Sequence, residues 1–205
     1  MEIYSTEEQQ AEAIKRFFRE NGTSLIIGAV LGLGGLYGWK AYNQHQIDTA
    51  EAGSEAYNQL VDSGDVLTKS DDFLANNGES SYAVLAAFVA AKEAVEQGKL
   101  DVAQEKLTFA ANTVKTPELK ATAYLRLARV QAAREDYSAA LATLGNPMPQ
   151  SFVAQVAEVK GDILLAQGKK DAARDEYQKA VTAGGSDNNP LLQIKLDDLA
   201  GTTAL

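Results

Sequence analysis

The sequence predicts an all-α protein, with a single N-terminal transmembrane helix followed by an α-solenoid of stacked helix pairs. Two observations predict it. From Asn21 to Trp39 the chain runs 19 residues without a charge. Beyond that stretch, three segments repeat one helix–turn–helix plan, with turn openers Gly98, Glu135 and Gly168 spaced 37 and 33 residues apart. The 205 residues are 45% hydrophobic and 23% charged, ordinary for a folded chain. A net charge of −9 argues against a nucleic-acid partner. Cysteine is absent, which excludes disulfides and thiolate chemistry.

The uncharged stretch is long enough to span a bilayer. A helix rises about 1.5 Å per residue, and a hydrocarbon core of about 30 Å needs roughly 20 residues. The window 23–42 has that length, with Lys40 snorkelling at its end. Tyr37, Trp39 and Tyr42 cluster at one boundary, where amphipathic rings favour the headgroup zone. The 24-residue leader before Leu25 carries five acids, unlike the short basic start of a cleaved signal. Five glycines in 25–39 disfavour a soluble core helix, since each destabilises one by about 1 kcal/mol relative to Ala. An uncleaved signal anchor is the expectation.

Lys15, Arg16 and Arg19 precede the span, and Lys40 alone follows it before Lys69. Basic residues favour the cytoplasmic side. The sequence therefore predicts a cytoplasmic segment 1–22, a span 23–42 and a domain 43–205 across the membrane, which in a bacterium is the periplasm. Within 1–22, Ser5-Thr6-Glu7-Glu8 offers a capping box. Ile14, Phe17 and Phe18 fall at helical spacing, and Gly22 can end the helix. Such a helix rests on the inner leaflet, in contact with membrane lipid, or holds a partner. In the span, Gly28–Gly32 and Gly34–Gly38 are small-xxx-small pairs. They are read either as a packing face for another membrane helix or as simple glycine enrichment.

The repeats follow from superposing 86–111, 123–145 and 157–181 on their turns. Ala103, Ala140 and Ala173 fall five residues after the opener, and Leu107, Leu144 and Tyr177 nine after. Ala91, Ala128 and Gly161 fall seven before it. The small residues allow close helix approach, and the apolar stripe marks a half-buried face. The intervals bracket the 34-residue tetratricopeptide period, so the domain is expected to be a tetratricopeptide-like α-solenoid. Gly64 lies 34 residues before Gly98 and suggests a degenerate further pair, with helices over about 44–62 and 66–76. Pro190 can open a capping helix over 191–200.

The pattern MEIY…EAIKRFFRENG…GW, then one span, then alanine-rich repeats, resembles the YfgM family over the whole chain, most closely over residues 1–42. Members are ancillary subunits of the SecYEG translocon in Gram-negative inner membranes. The resemblance implies a periplasmic repeat domain and association with SecYEG and the membrane-anchored chaperone PpiD. It also implies that the cytoplasmic end restrains a stress-response regulator in some members.

No constellation for catalysis stands out, and no cofactor, metal or small-molecule substrate is expected. His45 is the only histidine, and with Asp48 it supplies too few ligands for a metal. Asp71-Asp72 and Asp197-Asp198 are adjacent acids that point to different sides of a helix. GLGG at 32–35 lies inside an apolar run rather than after a strand, so it is no phosphate loop. Binding is the better class, because stacked helix pairs expose a concave groove from their first helices. Alignment on the turns gives the groove-facing candidates Leu85, Phe88 and Lys92, then Leu125 and Arg129, then Glu158 and Asp162. Phe88 and Leu125 are either exposed apolar anchors or core. If they are anchors, truncating both leaves the melting temperature nearly unchanged. A non-enzymatic scaffold at the export channel is the leading expectation, and a periplasmic scaffold for cell-envelope or division enzymes is the alternative.

Overall fold

The computed structural model describes residues 7–78, 80–187 and 189–200. Among them the regular elements are helical: α1 (Glu7–Asp62), α2 (Val66–Asn77), α3 (Ser81–Glu96), α4 (Leu100–Thr113), α5 (Pro117–Ala133), α6 (Tyr137–Thr143), α7 (Val153–Ala166), α8 (Lys170–Thr182) and α9 (Pro190–Ala200). Short 3-10 turns precede α7 and α9. Two compact units divide the chain, Met1–Ala52 and Gly53–Leu205.

In the first unit, α1 passes through the uncharged stretch and is long and apolar enough to cross a membrane. Its apolar window buries none of its surface, and Ile26, Leu31, Leu33 and Trp39 are all exposed. A soluble core helix hides such residues, so that alternative fails. Gly22 does not end the helix, contrary to the sequence expectation. A glycine stop works through positive φ, and Gly22 is not among the residues with positive φ. Apolar sequence on its C-terminal side carries the helix onward. The capping box falls outside the described residues at Ser5 and Thr6.

The second unit is the stack of pairs. In each of the three aligned turns the opener takes positive φ: Gly98 at 70°, Glu135 at 64° and Gly168 at 75°. The same two backbone bonds close each turn. Gly98, Glu135 and Gly168 donate to Val95, Ala132 and Leu165. The next residues, Lys99, Asp136 and Lys169, donate five back to Ala94, Gln131 and Leu164. This is a Schellman stop repeated three times. Glu135 adopts it without the freedom of glycine, an uncommon conformation for a side-chain-bearing residue. Gly64, at φ 65°, turns α1 into α2 as its spacing predicts.

Small residues set the helix spacing. Ala103, Ala140 and Ala173 are fully buried, as are Ala128 and Tyr177, while Ala91, Leu107 and Leu144 are nearly so. The α3 face adds Ala83, Ala86, Ala87, Ala90 and Ala94, all without exposure. The expected capping helix forms as α9, with Pro190 at its first position. Its Leu192 and Leu199 bury against Ala157, Ala173, Tyr177 and Ala180.

Candidate partner-binding groove

A cavity of about 410 Å³ opens between α3 and α5 over α4. From α3 it takes Phe88, Ala91, Lys92, Val95 and Glu96, which share one face at i, i+3, i+4, i+7 and i+8. From α5 it takes Arg126, Arg129, Val130 and Ala133, again one helical face. Leu100 and Leu107 of α4 complete the floor. The floor is apolar and the rim is charged. Lys92 pairs with Glu96 at 3.1 Å on the same helix. The Arg126 guanidinium lies 4.8 Å from the centre of the Phe88 ring, a cation–π contact that bridges the two helices.

The seven predicted groove residues separate into four groups. Phe88, Lys92 and Arg129 line the cavity. Leu85 is exposed beside it but is not part of its lining. Leu125 is buried with Ala128, Ala140, Leu144, Val159 and Ile163, so it is core and not an exposed anchor. Phe88 is also buried, at 8% exposure, and meets the cavity with part of its ring. The exposed-anchor reading of this pair is overturned. One residue of helix rotates a side chain by about 100°, which separates core Leu125 from its rim neighbour Arg126.

Glu158 and Asp162 are engaged by the C-terminal cap. Lys195 of α9 donates to Glu158 at 3.0 Å and to Asp162 at 2.7 Å. The Asn189 amide donates to both oxygens of Glu158 at 3.0 Å. The Tyr177 hydroxyl donates to Asp162 at 2.8 Å. Burial works to lower the Lys195 pKa, but its hydrogen bonds to Asp162 and Glu158 and their charge outweigh that and raise it. Burial raises the Tyr177 pKa, and Asp162 adds to the effect.

Alignment on the turns missed Arg126 and Val95. The i, i+3 spacing of Arg126 and Arg129 was a usable signal, since it places both on one face of α5. In the apolar stretch of α1, an added Cβ at Gly28, Gly32, Gly34 or Gly38 meets nothing within 4 Å among the described residues, so both glycine pairs are open.

The tetratricopeptide repeat-like domain family matches residues 15–201. The chain is 36% identical to the ancillary SecYEG translocon subunit of Escherichia coli (strain K12), over 98% of this chain and 100% of the relative. It is 31% identical to the subunit of the same name from Haemophilus influenzae, over 94% of this chain and 97% of the relative. The crystal structure of MamA protein superposes with a TM-score of 0.56 at 16% identity, covering 77% of this chain and 84% of that one, a likeness of fold alone. With a repeat architecture and end-to-end similarity of this extent, the chain belongs to the family of ancillary SecYEG translocon subunits.

Proposed function

We propose that the protein is a non-enzymatic, membrane-tethered scaffold at the SecYEG translocon, linking exported proteins to periplasmic chaperones such as PpiD. One observation carries the reading: a span-length helix with an open apolar surface precedes a stack of helix pairs, in a chain similar end to end to ancillary translocon subunits. In this reading 1–22 is cytoplasmic, 23–42 spans the inner membrane and 43–205 is periplasmic. The basic residues Lys15, Arg16 and Arg19 before the span favour that orientation.

The surfaces divide by compartment. The open pairs Gly28–Gly32 and Gly34–Gly38 suit close packing against another membrane helix. The groove lined by Phe88, Lys92 and Arg129 suits a periplasmic partner, and the cytoplasmic end carries the restraint on a stress-response regulator. Affinity purification of the full chain from mild detergent tests the scaffold role. Recovery of SecYEG and the chaperone is expected, whereas recovery of division or cell-wall enzymes in their place overturns it. Protease added to spheroplasts tests the orientation. The repeat domain is expected to be digested while 1–22 survives, and a repeat domain protected until the inner membrane breaks refutes the topology.

A further inference from the structure

The geometry points to a specific ligand chemistry for the groove between α3 and α5: a partner segment with a bulky apolar side chain flanked by carboxylates. This inference rests on the scaffold reading, because it treats the groove as the partner surface. The cavity's size of about 410 Å³ is toward the lower end of the roughly 300–1,000 Å³ usual for binding clefts. Its floor of Phe88, Ala91, Leu100, Leu107 and Val130 suits one or two large apolar side chains.

Charge decides what flanks those side chains. The rim holds three cations, Lys92, Arg126 and Arg129, against one carboxylate, Glu96, in a chain whose net charge is −9. Lys92 is already paired with Glu96. Arg126 is exposed and stacks on Phe88, with no ion-pair partner among the described residues. Arg129 is exposed and has no ion-pair partner among the described residues.

The opposite end of the same register behaves differently. Glu158 and Asp162 occupy in α7 the turn-relative positions of Phe88 and Lys92 in α3. Lys195 satisfies both within the chain. The acidic positions are thus neutralised internally, while the two arginines present donors beside an apolar cleft with no ion-pair partner among the described residues. An arginine pair on one helix face can hold a carboxylate by donating forked hydrogen bonds to it. A cationic segment would instead meet a like-charged rim, which costs affinity.

The test uses the full chain in phosphatidylcholine nanodiscs. The probe is a fluorescein-labelled ten-residue peptide with a central Leu-Phe pair and two acidic residues on each side. Binding is read by fluorescence polarisation at low and physiological salt. The acidic peptide is expected to bind and to weaken with salt. Its amide counterpart, with Gln and Asn for the acids, and a version with Ala for the Leu-Phe pair should each bind roughly three- to tenfold more weakly.

Arg129→Gln alone should reproduce part of that loss, and adding Arg126→Gln most of it. Val95→Glu offers a second route, because Val95 is exposed at 45% and its replacement sets a carboxylate in the cleft without opening the core. Circular dichroism confirms that each variant keeps its helices. Equal affinity for the acidic and amide peptides overturns the assignment. So does undiminished binding by the Arg129→Gln and Val95→Glu chains, or equal binding to empty nanodiscs. Failure of the scaffold reading shows separately, as loss of SecYEG from the purified wild-type chain while the peptide still binds.

Discussion

Gly161 and Tyr177 form a matched pair. A Cβ at Gly161 would stand 2.4 Å from the Tyr177 ring, and that ring is fully buried with its hydroxyl held by Asp162 at 2.8 Å. The ring has no room to retreat. The third repeat thus places its largest residue on the second helix opposite an absent side chain on the first, where the other pairs oppose Ala91 to Leu107 and Ala128 to Leu144.

Gly161→Ala should therefore destabilise the repeat domain. Overpacking typically costs about 1–3 kcal/mol, against which Ala regains up to about 1 kcal/mol of helix propensity. A net loss of about 1–2 kcal/mol is expected in thermal unfolding followed by circular dichroism. With Tyr177→Leu already present, Gly161→Ala should cost less. An equal cost in both backgrounds would show that the ring is not what the glycine makes room for.

Leu125→Ala and Phe88→Ala should lower the melting temperature. Both side chains are buried, at 5% and 8% exposure, and large-to-Ala changes in cores cost about 2–5 kcal/mol. Leu125→Ala, enclosed on both sides by Ala128, Ala140, Leu144 and Ile163, should cost more than Phe88→Ala, whose ring borders a cavity. An unchanged melting temperature for Leu125→Ala would return that residue to the surface.

Helix pairs, turn positions and small-residue contacts were legible because each has a local signal with a physical cause. A residue opening a left-handed turn, an alanine five later and an apolar residue nine later need no tertiary knowledge to recognise. Groove residues were less legible. Lys92 and Arg129 line the cavity, but turn spacing could not show how far Phe88 and Leu125 are covered by the next pair, because that depends on stacking between repeats. The same limit hid the ion pairs of Glu158 and Asp162. Their partner Lys195 lies 33 or more residues away, and no periodicity connects α9 to α7. Gly22 misled for a different reason: a glycine is permitted a helix stop but does not require one.

Asp71 and Lys106 join α2 to α4. The Lys106 side chain is 2% exposed and its ammonium reaches the exposed Asp71 and Glu105 carboxylates. Burial lowers its pKa, and its hydrogen bonds to Asp71 and Glu105 outweigh that and raise it. Losing one partner strands part of a buried charge, whereas replacing the charge with an apolar side chain of similar length does not. Asp71→Asn together with Glu105→Gln should therefore destabilise the domain more than Lys106→Met. The reverse order in chemical denaturation would show that the ammonium draws its stability from water and not from these carboxylates.

Tyr177 and Lys195 make the C-terminal cap sensitive to alkali. Tyr177 is raised above its ordinary value of 10.0, by burial first and then by Asp162. Lys195 is raised above 10.5, because Asp162 and Glu158 outweigh the opposing effect of burial. In both cases the folded chain holds a proton that the unfolded chain has already released at the same pH. The stabilisation is complete below the unfolded values and fades as pH rises through and beyond them. Unfolding free energy should thus fall from about pH 10 upward, with Lys106 and Lys179 acting in the same direction. Tyr177→Phe removes one of these protons and one hydrogen bond. It should lower stability by about 1 kcal/mol near pH 8 and leave a shallower decline between pH 9 and 11. Lys195→Met should flatten the decline in the same way, because it removes the other group whose proton the fold holds more tightly, and it leaves Glu158 with the amide of Asn189, just before α9, among the contacts described for that carboxylate. Denaturation curves at fixed pH steps measure both slopes. If the two variants decline as steeply as the wild-type chain, the contacts of α9 with α7 and of Tyr177 with Asp162 do not control the alkaline response.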